Sequence, residues 1–396
     1  MEKSEQYKQA VMPTYGRAEL SFVRGKGSWL YTDDDTAYLD CATGIAVNLF
    51  GHGDKRLVSA LHEQADKLWH TSNLYRIEGQ ERLAFRLARH AGLEHAFFCN
   101  SGAEANEAAV KMARRFHYKQ GQHERYQIIC AGNSFHGRTL AMLAATDKPL
   151  FREGFGPMPE GFMHVPFGNL NALRDSLNDR VAAIMVEPVQ GEGGANAAPA
   201  GYMEGVRAAA DEFGALVIAD EVQSGMGRTG HLFAYQSSDI QPDLVVLAKG
   251  LGGGFPVGAV IARKAIGEAM GPGSHGSTFG GNPLAMAVAN AVLDGLEEDG
   301  FLADVRERAS LLADQLGQLK QRHAEYISEI RGSAFLCGFR LSDRLEAPAV
   351  VAALREKHLL TVPAGENVVR LLPPLTISTD EIKQAIAICD SYFSAL

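Results

Sequence analysis

The chain has 396 residues, of which 46% are hydrophobic and 21% are charged, a composition typical of a soluble globular protein with two or three domains and unlike that of a disordered chain. Its formal net charge of -9, without runs of lysine or arginine, argues against nucleic acid or an anionic membrane as a partner and favours small molecules. The first residues lack a basic start followed by an apolar run, and no stretch is long enough to cross a bilayer, so the sequence predicts a cytoplasmic protein.

The predicted elements begin with a small antiparallel meander between Leu20 and Asp40, where β-forming residues alternate with the turn strings GKG and DDDT. From about residue 95 to residue 262, helical stretches separate six short apolar runs: HAFFCN, YQIICAG, VAAIMVEP, GALVIADE, DLVVLAKG and VGAVIA. Apolar runs without alternation are typical of a sheet that is buried on both faces. This region therefore predicts an α/β fold.

The pattern changes after Pro283. The sequence there predicts one long amphipathic helix, a short β region around ISEIRGSAFLCGFRL, and a last helix that begins with a capping box from Ser378 to Glu381. These elements predict an α+β domain in the C-terminal part of the chain.

The cysteines and histidines give no sign of a metal site. The five cysteines lie at least 31 residues apart inside apolar runs, which is typical of reduced thiols in a core. There is no CxxC pair, and the string HEQADKLWH has the wrong spacing for the zinc-protease pattern HExxH. The sequence therefore predicts neither a disulfide framework nor a bound metal.

Three of the middle strands end on a charged residue, namely Glu187, Asp220 and Lys249. The gaps of 33 and 29 residues between them each match a strand, a crossover helix and a return, so the strands are expected to lie parallel with their carboxyl ends at one edge. Ligands of open α/β sheets bind at that edge. Taken singly, each of these residues is also compatible with a solvated or structural charge.

A strand that turns into a helix, in FFCNSGAEANEAAVKMARR, predicts an anion site. Ser101 and Gly102 stand at the turn, where free backbone NH groups, the serine hydroxyl and the helix dipole favour a phosphate. Ser, Gly and Asn are also ordinary capping residues, so the turn alone leaves both interpretations open. Two other phosphate motifs fail: the glycines follow Lys249 where a P-loop has them before its lysine, and GPGSHG does not follow a strand.

A lysine, an acid and a phosphate-binding turn at one sheet edge are the groups needed to hold pyridoxal 5′-phosphate. Lys249 would form the Schiff base, and Asp220 would lie against the pyridinium nitrogen, where opposite charges about 3 Å apart attract by roughly 5 kcal/mol at an effective dielectric constant near 20. Once released, the Lys249 amine would be a base beside the carbon that loses a proton. The glycines after Lys249 allow a sharp turn and leave room for a ring.

Nine motifs of the chain resemble the class III aminotransferases, the ω-amino subgroup of fold-type I pyridoxal-phosphate enzymes, and among these most the acetylornithine aminotransferases. In chain order they are MPTYGR, YLDCATGIAVNLFGHG, HTSNLYRIEGQERLA, FFCNSGAEANEAAVKMAR, SFHGRTLAML, VEPVQGEGG, IADEVQSGMGRTG, LAKGLGGGFPVGA and HGSTFGGNPLAMAV. The resemblance implies an α/β fold with a mainly parallel seven-stranded sheet flanked by helices, and a small α+β domain. It implies that residues 1–55 contribute to the small domain, residues 56–282 form the large cofactor-binding domain, and residues 283–396 form the small domain.

The resemblance also implies the residues that hold the cofactor. Lys249 and Asp220 keep the roles given above, and Phe135 is expected to stack on the cofactor ring. The remaining cofactor contacts are Ser101, Gly102 and Ala103 at the phosphate, Val222 and Gln223 at the ring, and Thr278 at the phosphate of the neighbouring subunit's cofactor. A Thr278 with that role implies a homodimer with shared active sites.

For the substrates, the resemblance implies that Arg138 binds the α-carboxylate of acetylornithine and that Arg370 binds a carboxylate of 2-oxoglutarate. A guanidinium binds a carboxylate through two charge-assisted hydrogen bonds, which agrees with both roles. Glu192 resembles the residue that pairs with Arg370 while a monocarboxylate amine is bound and swings away for the dicarboxylate. Ser277 is expected near the substrate, and Glu187 is as compatible with a structural role as with a catalytic one.

The function implied is ping-pong transfer of the δ-amine of N2-acetylornithine to 2-oxoglutarate in arginine metabolism. Succinylornithine, ornithine and 4-aminobutyrate aminotransferases are the alternatives within the class. An aminomutase on the same fold is an alternative of another reaction class, and a non-enzymatic cofactor-binding regulator is a third.

Overall fold

The computed structural model describes Tyr7 and residues 10–396; residues 1–6 and 8–9, at the start of the predicted N-terminal segment, lie outside this description. The central element is a seven-stranded sheet. Its hydrogen-bonded neighbours follow one another across the sheet in the order His95–Cys99, Gly258–Ala262, Leu244–Leu247, Leu216–Asp220, Val181–Val186, Gln127–Ala131 and Phe162–Val165.

The strands of this sheet run mainly parallel. Gly258–Ala262 is the exception, because it pairs antiparallel with both of its neighbours. All six strands that the sequence predicts are present, and the predicted mainly parallel sheet is confirmed. The sequence missed Phe162–Val165 because this edge strand is short and most of it is only half-buried, so that it lacks the continuous apolar run of the others.

Helices cover both faces of the sheet. Alternate strand residues point to opposite faces of the sheet. Cys130 and Met185 therefore pack in the core that includes the helix Gly102–Lys119, whereas Ile129 and Ile184 pack in a second core that includes the helix Tyr202–Phe213. The helices before residue 283 are Lys55–Ala65, Glu78–Ala91, Gly102–Lys119, Leu140–Ala145, Pro149–Arg152, Leu170–Ser176, Tyr202–Phe213 and Lys264–Glu268, with 3-10 turns at Ala234–Ser237 and Lys249–Gly252. One further helical turn, Thr43–Ala46, has positive φ at all four residues.

The predicted meander is confirmed, and a strand from the C-terminal part of the chain pairs with it. Arg24–Lys26, Trp29–Tyr31 and Ala37–Asp40 pair antiparallel, and Leu359–Leu360 adds to Ala37–Asp40 in parallel. A second four-stranded sheet has the order Ile327–Ser333, Leu336–Leu341, Val368–Leu371 and Val362–Ala364. Val189–Gln190 and Asn196–Ala197 form a two-stranded ribbon.

The predicted long amphipathic helix after Pro283 corresponds to Phe301–Arg322, but the sequence missed the separate helix Pro283–Leu296 that precedes it. Pro283–Leu296 is buried on almost every side, whereas Phe301–Arg322 buries a single stripe of residues, and Gly300 separates them with a φ of +83° that glycine adopts easily. The β region after them and the capping box of the last helix, Thr379–Phe393, are both confirmed, and Ala347–Glu356 is the remaining helix.

The division of the chain at residues 55 and 282 stays a prediction. Pairing of the meander with Leu359–Leu360 agrees with an N-terminal segment that belongs to the C-terminal domain. Among the helices of the described residues, none has the length and apolarity needed to span a membrane.

Candidate active site

The three charged strand ends meet at one edge of the central sheet, as the sequence predicts. Asp220 is the last residue of its strand, Glu187 directly follows its strand, and Lys249 follows its strand after one intervening residue. These strands are parallel neighbours. All three residues line one cavity of about 440 Å³, a volume suited to a small molecule.

One wall of this cavity is the start of the helix Gly102–Lys119. Ser101 is its N-cap residue, and the Ser101 Oγ accepts a hydrogen bond from the backbone N of Glu104 at 3.2 Å. A Cβ on Gly102 would lie 2.8 Å from the Cγ1 of Val222, so a glycine is needed for this close approach. The predicted turn from strand to helix is confirmed, and the free NH groups of such a helix start favour an anion.

Asp220 is held by a buried network of hydrogen bonds. Its Oδ2 accepts from Nδ2 of Asn106 at 2.8 Å and pairs with Nδ1 of His136 at 2.7 Å, and its Oδ1 accepts from the backbone N of Val222 at 3.0 Å. Burial alone would lower the pKa of His136, but the bond to Asp220 raises it above its usual value. This arrangement holds the Asp220 carboxylate in one orientation at the cavity.

Sequence reasoning missed Asn106 and His136. Asn106 lies in the motif FFCNSGAEANEAAVKMAR and His136 in the motif SFHGRTLAML. Nothing in the spacing of these residues shows that their side chains turn towards Asp220. The side chains of Asn106 and His136 are buried, and Oδ1 of Asn106 and Nε2 of His136 have no hydrogen-bond partner within the described part of the chain.

Lys249 occupies a strained backbone position beside the cavity. Its φ of +42° is unusual for a residue with a side chain. Burial lowers the pKa of Lys249 from its usual 10.5 to about 8; Glu192 opposes this shift and Arg370 adds to it. The Lys249 amine therefore loses its proton far more readily than a solvated lysine does.

Phe135 and Glu187 are linked at the cavity. The backbone N of Phe135 donates to Oε1 of Glu187 at 3.0 Å, and both residues line the cavity. Burial raises the pKa of Glu187 to about 7. Glu187 thus supports the segment that carries Phe135.

Arg138 lines the same cavity but is exposed to solvent. Its Cζ lies 3.4 Å from the centre of the Phe151 ring and 5.6 Å from that of Phe135. Within the described part of the chain its guanidinium forms no hydrogen bond or ion pair, so its donors are available to a ligand.

Arg370 is fully buried close to the cavity. Its NH2 donates to Oε1 of Glu192 at 2.8 Å and to the carbonyl of Pro363 at 3.2 Å, and its NH1 donates to Oε1 of Gln223 at 2.9 Å. Burial alone would raise the pKa of Glu192, but Arg370 and Lys249 bring it below its usual value. The structure thus brings together Glu192, Gln223 and Arg370.

Ser277 and Thr278 do not line this cavity. Oγ of Ser277 accepts from Nδ2 of Asn100 at 3.2 Å, whereas Thr278 is exposed. An exposed Thr278 outside the cavity of its own chain is compatible with the predicted contact across a dimer.

Pyridoxal 5′-phosphate fits these residues. The start of the helix at Ser101 offers an anion site, Asp220 offers a carboxylate for the ring nitrogen, and Lys249 offers an amine for the aldehyde, all around one cavity. No group of three or more His, Cys, Asp or Glu among the described residues could hold a metal ion, and the five cysteines are buried and unpaired.

Comparison with known proteins gives consistent matches. Residues 11–392 match the model of the aminotransferase class-III family. The acetylornithine aminotransferase of Agrobacterium fabrum is 48% identical over 377 residues, which cover 95% of this chain and 94% of that protein. Two solved structures are similar over nearly the whole chain. The ornithine aminotransferase from Toxoplasma gondii ME49 has a TM-score of 0.95 at 31% identity and covers 99% of this chain and 94% of its own. The N-acetylornithine aminotransferase from Stenotrophomonas maltophilia K279a has a TM-score of 0.84 at 36% identity, and the match covers 96% of this chain and 97% of that chain.

Proposed function

Because the chain belongs to the class III aminotransferases, a family of pyridoxal-phosphate-dependent transaminases, we propose that it transfers the δ-amine of N2-acetylornithine to 2-oxoglutarate. The products of this ping-pong reaction are N-acetylglutamate 5-semialdehyde and glutamate, which places the protein in arginine metabolism. The relatives that share its length support this amine donor, since several of them are acetylornithine aminotransferases.

The cofactor contacts proposed for this chain divide the cavity into three parts. Ser101, Gly102 and Ala103 bind the phosphate, and Phe135, Val222 and Gln223 contact the ring. Asp220 keeps the ring nitrogen protonated, and His136 and Asn106 fix its carboxylate for that purpose. Bound in this way, pyridoxal 5′-phosphate supplies an electron sink.

Lys249 moves the proton in both halves of the reaction. Its Nζ takes a proton from the carbon that gives up the amine and delivers it to the carbon that receives the amine. A pKa of about 8 leaves about one lysine in ten neutral at pH 7, enough for a base close to its working pH.

The two arginines carry the proposal for the substrates. Arg138 offers unpaired donors to the carboxylate of a monocarboxylate amine, while Glu192 neutralises the buried Arg370 at 2.8 Å. A dicarboxylate such as 2-oxoglutarate replaces Glu192 at Arg370 with its own carboxylate. A site built in this way accepts a monocarboxylate donor and a dicarboxylate acceptor in turn.

Ornithine is the second candidate donor, because the structure of an ornithine aminotransferase superposes with a TM-score of 0.95. The test is kcat/KM for acetylornithine, succinylornithine, ornithine and 4-aminobutyrate with 2-oxoglutarate fixed. We expect acetylornithine to have the highest value. A higher value for another amine would refute the donor, and turnover that does not require 2-oxoglutarate would indicate an aminomutase.

We further propose a homodimer with shared sites, in which Thr278 reaches the cofactor phosphate of the partner. A cluster of exposed apolar side chains near Thr278 supports this assembly, namely Leu68, Trp69, Leu74, Tyr75 and Phe279, with exposed fractions from 48% to 87%. Nδ2 of Asn73 ties the two parts of the cluster together by donating to the carbonyls of Ser277 and Gly280. Sedimentation of the protein should give twice the mass of one chain, whereas a monomer would contradict the proposal.

We also propose a location in the cytoplasm. The support comes from the five buried cysteines, none of which is paired, because a reducing compartment keeps thiols in this state.

A further inference from the structure

Three segments of the chain touch around Glu192. The backbone N of Gly365 donates to the carbonyl of Glu192 at 3.0 Å. A Cβ on Gly193 would lie 2.7 Å from the carbonyl oxygen of Asn133, and one on Gly194 would lie 2.8 Å from that of Gly365. The loop that carries Glu192 is therefore in backbone contact with a segment on either side.

Four side chains tie these segments together. Oε1 of Glu366 accepts from Nδ2 of Asn133 at 3.1 Å, and its Oε2 accepts from NH1 of Arg331 at 2.5 Å. The same NH1 donates to Oδ1 of Asn196 at 2.9 Å, at the far end of the Glu192 loop. We call this set, Asn133, Asn196, Arg331 and Glu366, the clamp.

The backbone at Glu366 indicates that its side chain is needed. Glu366 has a φ of +55°, a region where glycine is unstrained and a residue with a Cβ is not. Its carboxylate nevertheless satisfies two donors from distant parts of the chain, and the side chain of Arg331 beside it is only 11% exposed. The Glu366 side chain itself is 34% exposed, so this charge-assisted bridge is shielded from solvent on the Arg331 side only.

Arg370 does not depend on the clamp for its position. Its strand pairs with Gly338 on one side and with Val362 on the other, and Gln223 fixes its NH1. Glu192, in contrast, lies in a loop that is supported by Gly365, by the Nε2 of Gln190, which donates to the carbonyl of Gly132, and by the clamp. Loss of the clamp would therefore displace Glu192 more than Arg370.

We propose that the clamp is a positioning device that holds Glu192 against Arg370 and thereby sets how strongly the site prefers monocarboxylate over dicarboxylate amines. This inference rests on the proposed function, because it takes Arg370 as the second carboxylate site. With the clamp intact, a dicarboxylate must displace a well-placed Glu192. With the clamp broken, Glu192 competes less well and the preference decreases.

The test compares Glu366→Ala with Glu329→Ala. Glu329 accepts from Nε of the same Arg331 at 2.7 Å but makes no contact with the Glu192 loop in the hydrogen bonds of the described residues, so it is the matched control. The readout is kcat/KM for acetylornithine divided by kcat/KM for glutamate as amine donor. We expect this ratio to fall about three- to tenfold in Glu366→Ala, the effect of losing one ordinary hydrogen bond, because the Glu366 carboxylate is partly solvated, and to stay within about twofold in Glu329→Ala.

A double-mutant cycle with Glu192→Gln identifies the route of the effect. If the clamp acts through Glu192, adding Glu366→Ala to Glu192→Gln changes the ratio no further. An equal loss in both backgrounds, or an equal loss in Glu329→Ala, would overturn the proposal. If Glu366→Ala does not fold, Asn196→Ala removes the hydrogen bond between Arg331 and the Glu192 loop and allows the same comparison.

The choice of donor does not affect this test. If acetylornithine is not a substrate, the ratio is measured with whichever monocarboxylate ω-amine the protein accepts. A wrong donor would then refute the donor assignment alone, whereas an unchanged ratio in the clamp variants would refute the clamp alone.

Discussion

The stacking of Arg138 on Phe151 leads to a prediction about donor binding. The guanidinium Cζ lies 3.4 Å from the ring centre of Phe151, which in turn contacts Phe135 edge-on at 6.2 Å. Because no polar side chain of the described residues holds Arg138, the ring is its main support on the cavity wall. Phe151→Leu keeps an apolar side chain of similar size but removes the aromatic face.

The size of the effect follows from the geometry. A cation above an aromatic face contributes about 0.5–1 kcal/mol at an exposed site such as Arg138, and up to about 2 kcal/mol when it is desolvated. The exposed value corresponds to a loss of about two- to fivefold in kcat/KM for acetylornithine. Arg152 anchors the short helix that carries Phe151 by donating to the carbonyls of Leu143 and Ala144, so the rest of the wall should stay in place.

The assay follows the first half-reaction in single turnovers, with acetylornithine and with a primary amine of similar length that lacks a carboxylate. Phe151→Leu should slow only the carboxylate donor, because Arg138 has nothing to bind in the other. Phe155→Leu, which changes a ring that is 58% exposed, is the control and should behave as the unchanged protein. An equal loss with both amines would refute the reasoning, since it would mean that Phe151 shapes the cavity and not Arg138.

The remaining predictions concern the cofactor end of the cavity. Lys249→Ala should abolish turnover and leave the folded structure intact by circular dichroism; full activity would contradict the proposed function. Lys249→Met should raise the Tm of the cofactor-free protein at pH 7, because it removes the cost of burying a charged amine. The folded-state pKa of Lys249, about 8, lies below the usual 10.5, so this cost is complete below pH 8 and disappears as the pH rises towards 10.5. A Tm difference between the two proteins that does not shrink in this pH range would contradict the prediction. His136→Leu should weaken binding of pyridoxal 5′-phosphate, measured by absorbance titration, because it removes a hydrogen bond to the buried Asp220 that is worth about 1.5–3 kcal/mol. Gly102→Ala should weaken phosphate binding by the cofactor, since its Cβ would lie 2.8 Å from Val222, and unchanged affinity would show that the helix start can shift.

The parts of the fold that the sequence predicted are those coded by neighbours along the chain. Buried strands appear as unbroken apolar runs, and the capping box at Ser378 lies within four residues, so both could be identified without the structure. The helical periodicity after Pro283 continues through the acidic residues before Gly300, and this hid the break between two helices.

The candidate site divides in the same way. Asp220 and Lys249 could be identified because each comes at the end of an apolar run, and Ser101 because it lies between a strand and a helix. The support for these residues could not be identified, because it comes from distant pairings. Asn133 and Glu366 are 233 positions apart, and no local pattern of residues indicates that such side chains meet.

The strand that Leu359–Leu360 adds to the N-terminal meander also determines when the protein can finish folding. Leu39 pairs with Leu359, and Oγ1 of Thr43 donates to the carbonyl of Leu372, 329 residues further on. At ribosomal speeds of about 5–20 residues per second, Leu359 and Leu372 are synthesised tens of seconds after their partners Leu39 and Thr43. Val47, which lines the cavity, follows directly on this early segment. The edge of this sheet at Ala37–Asp40 can therefore be completed only late in translation, after Leu360 has been synthesised.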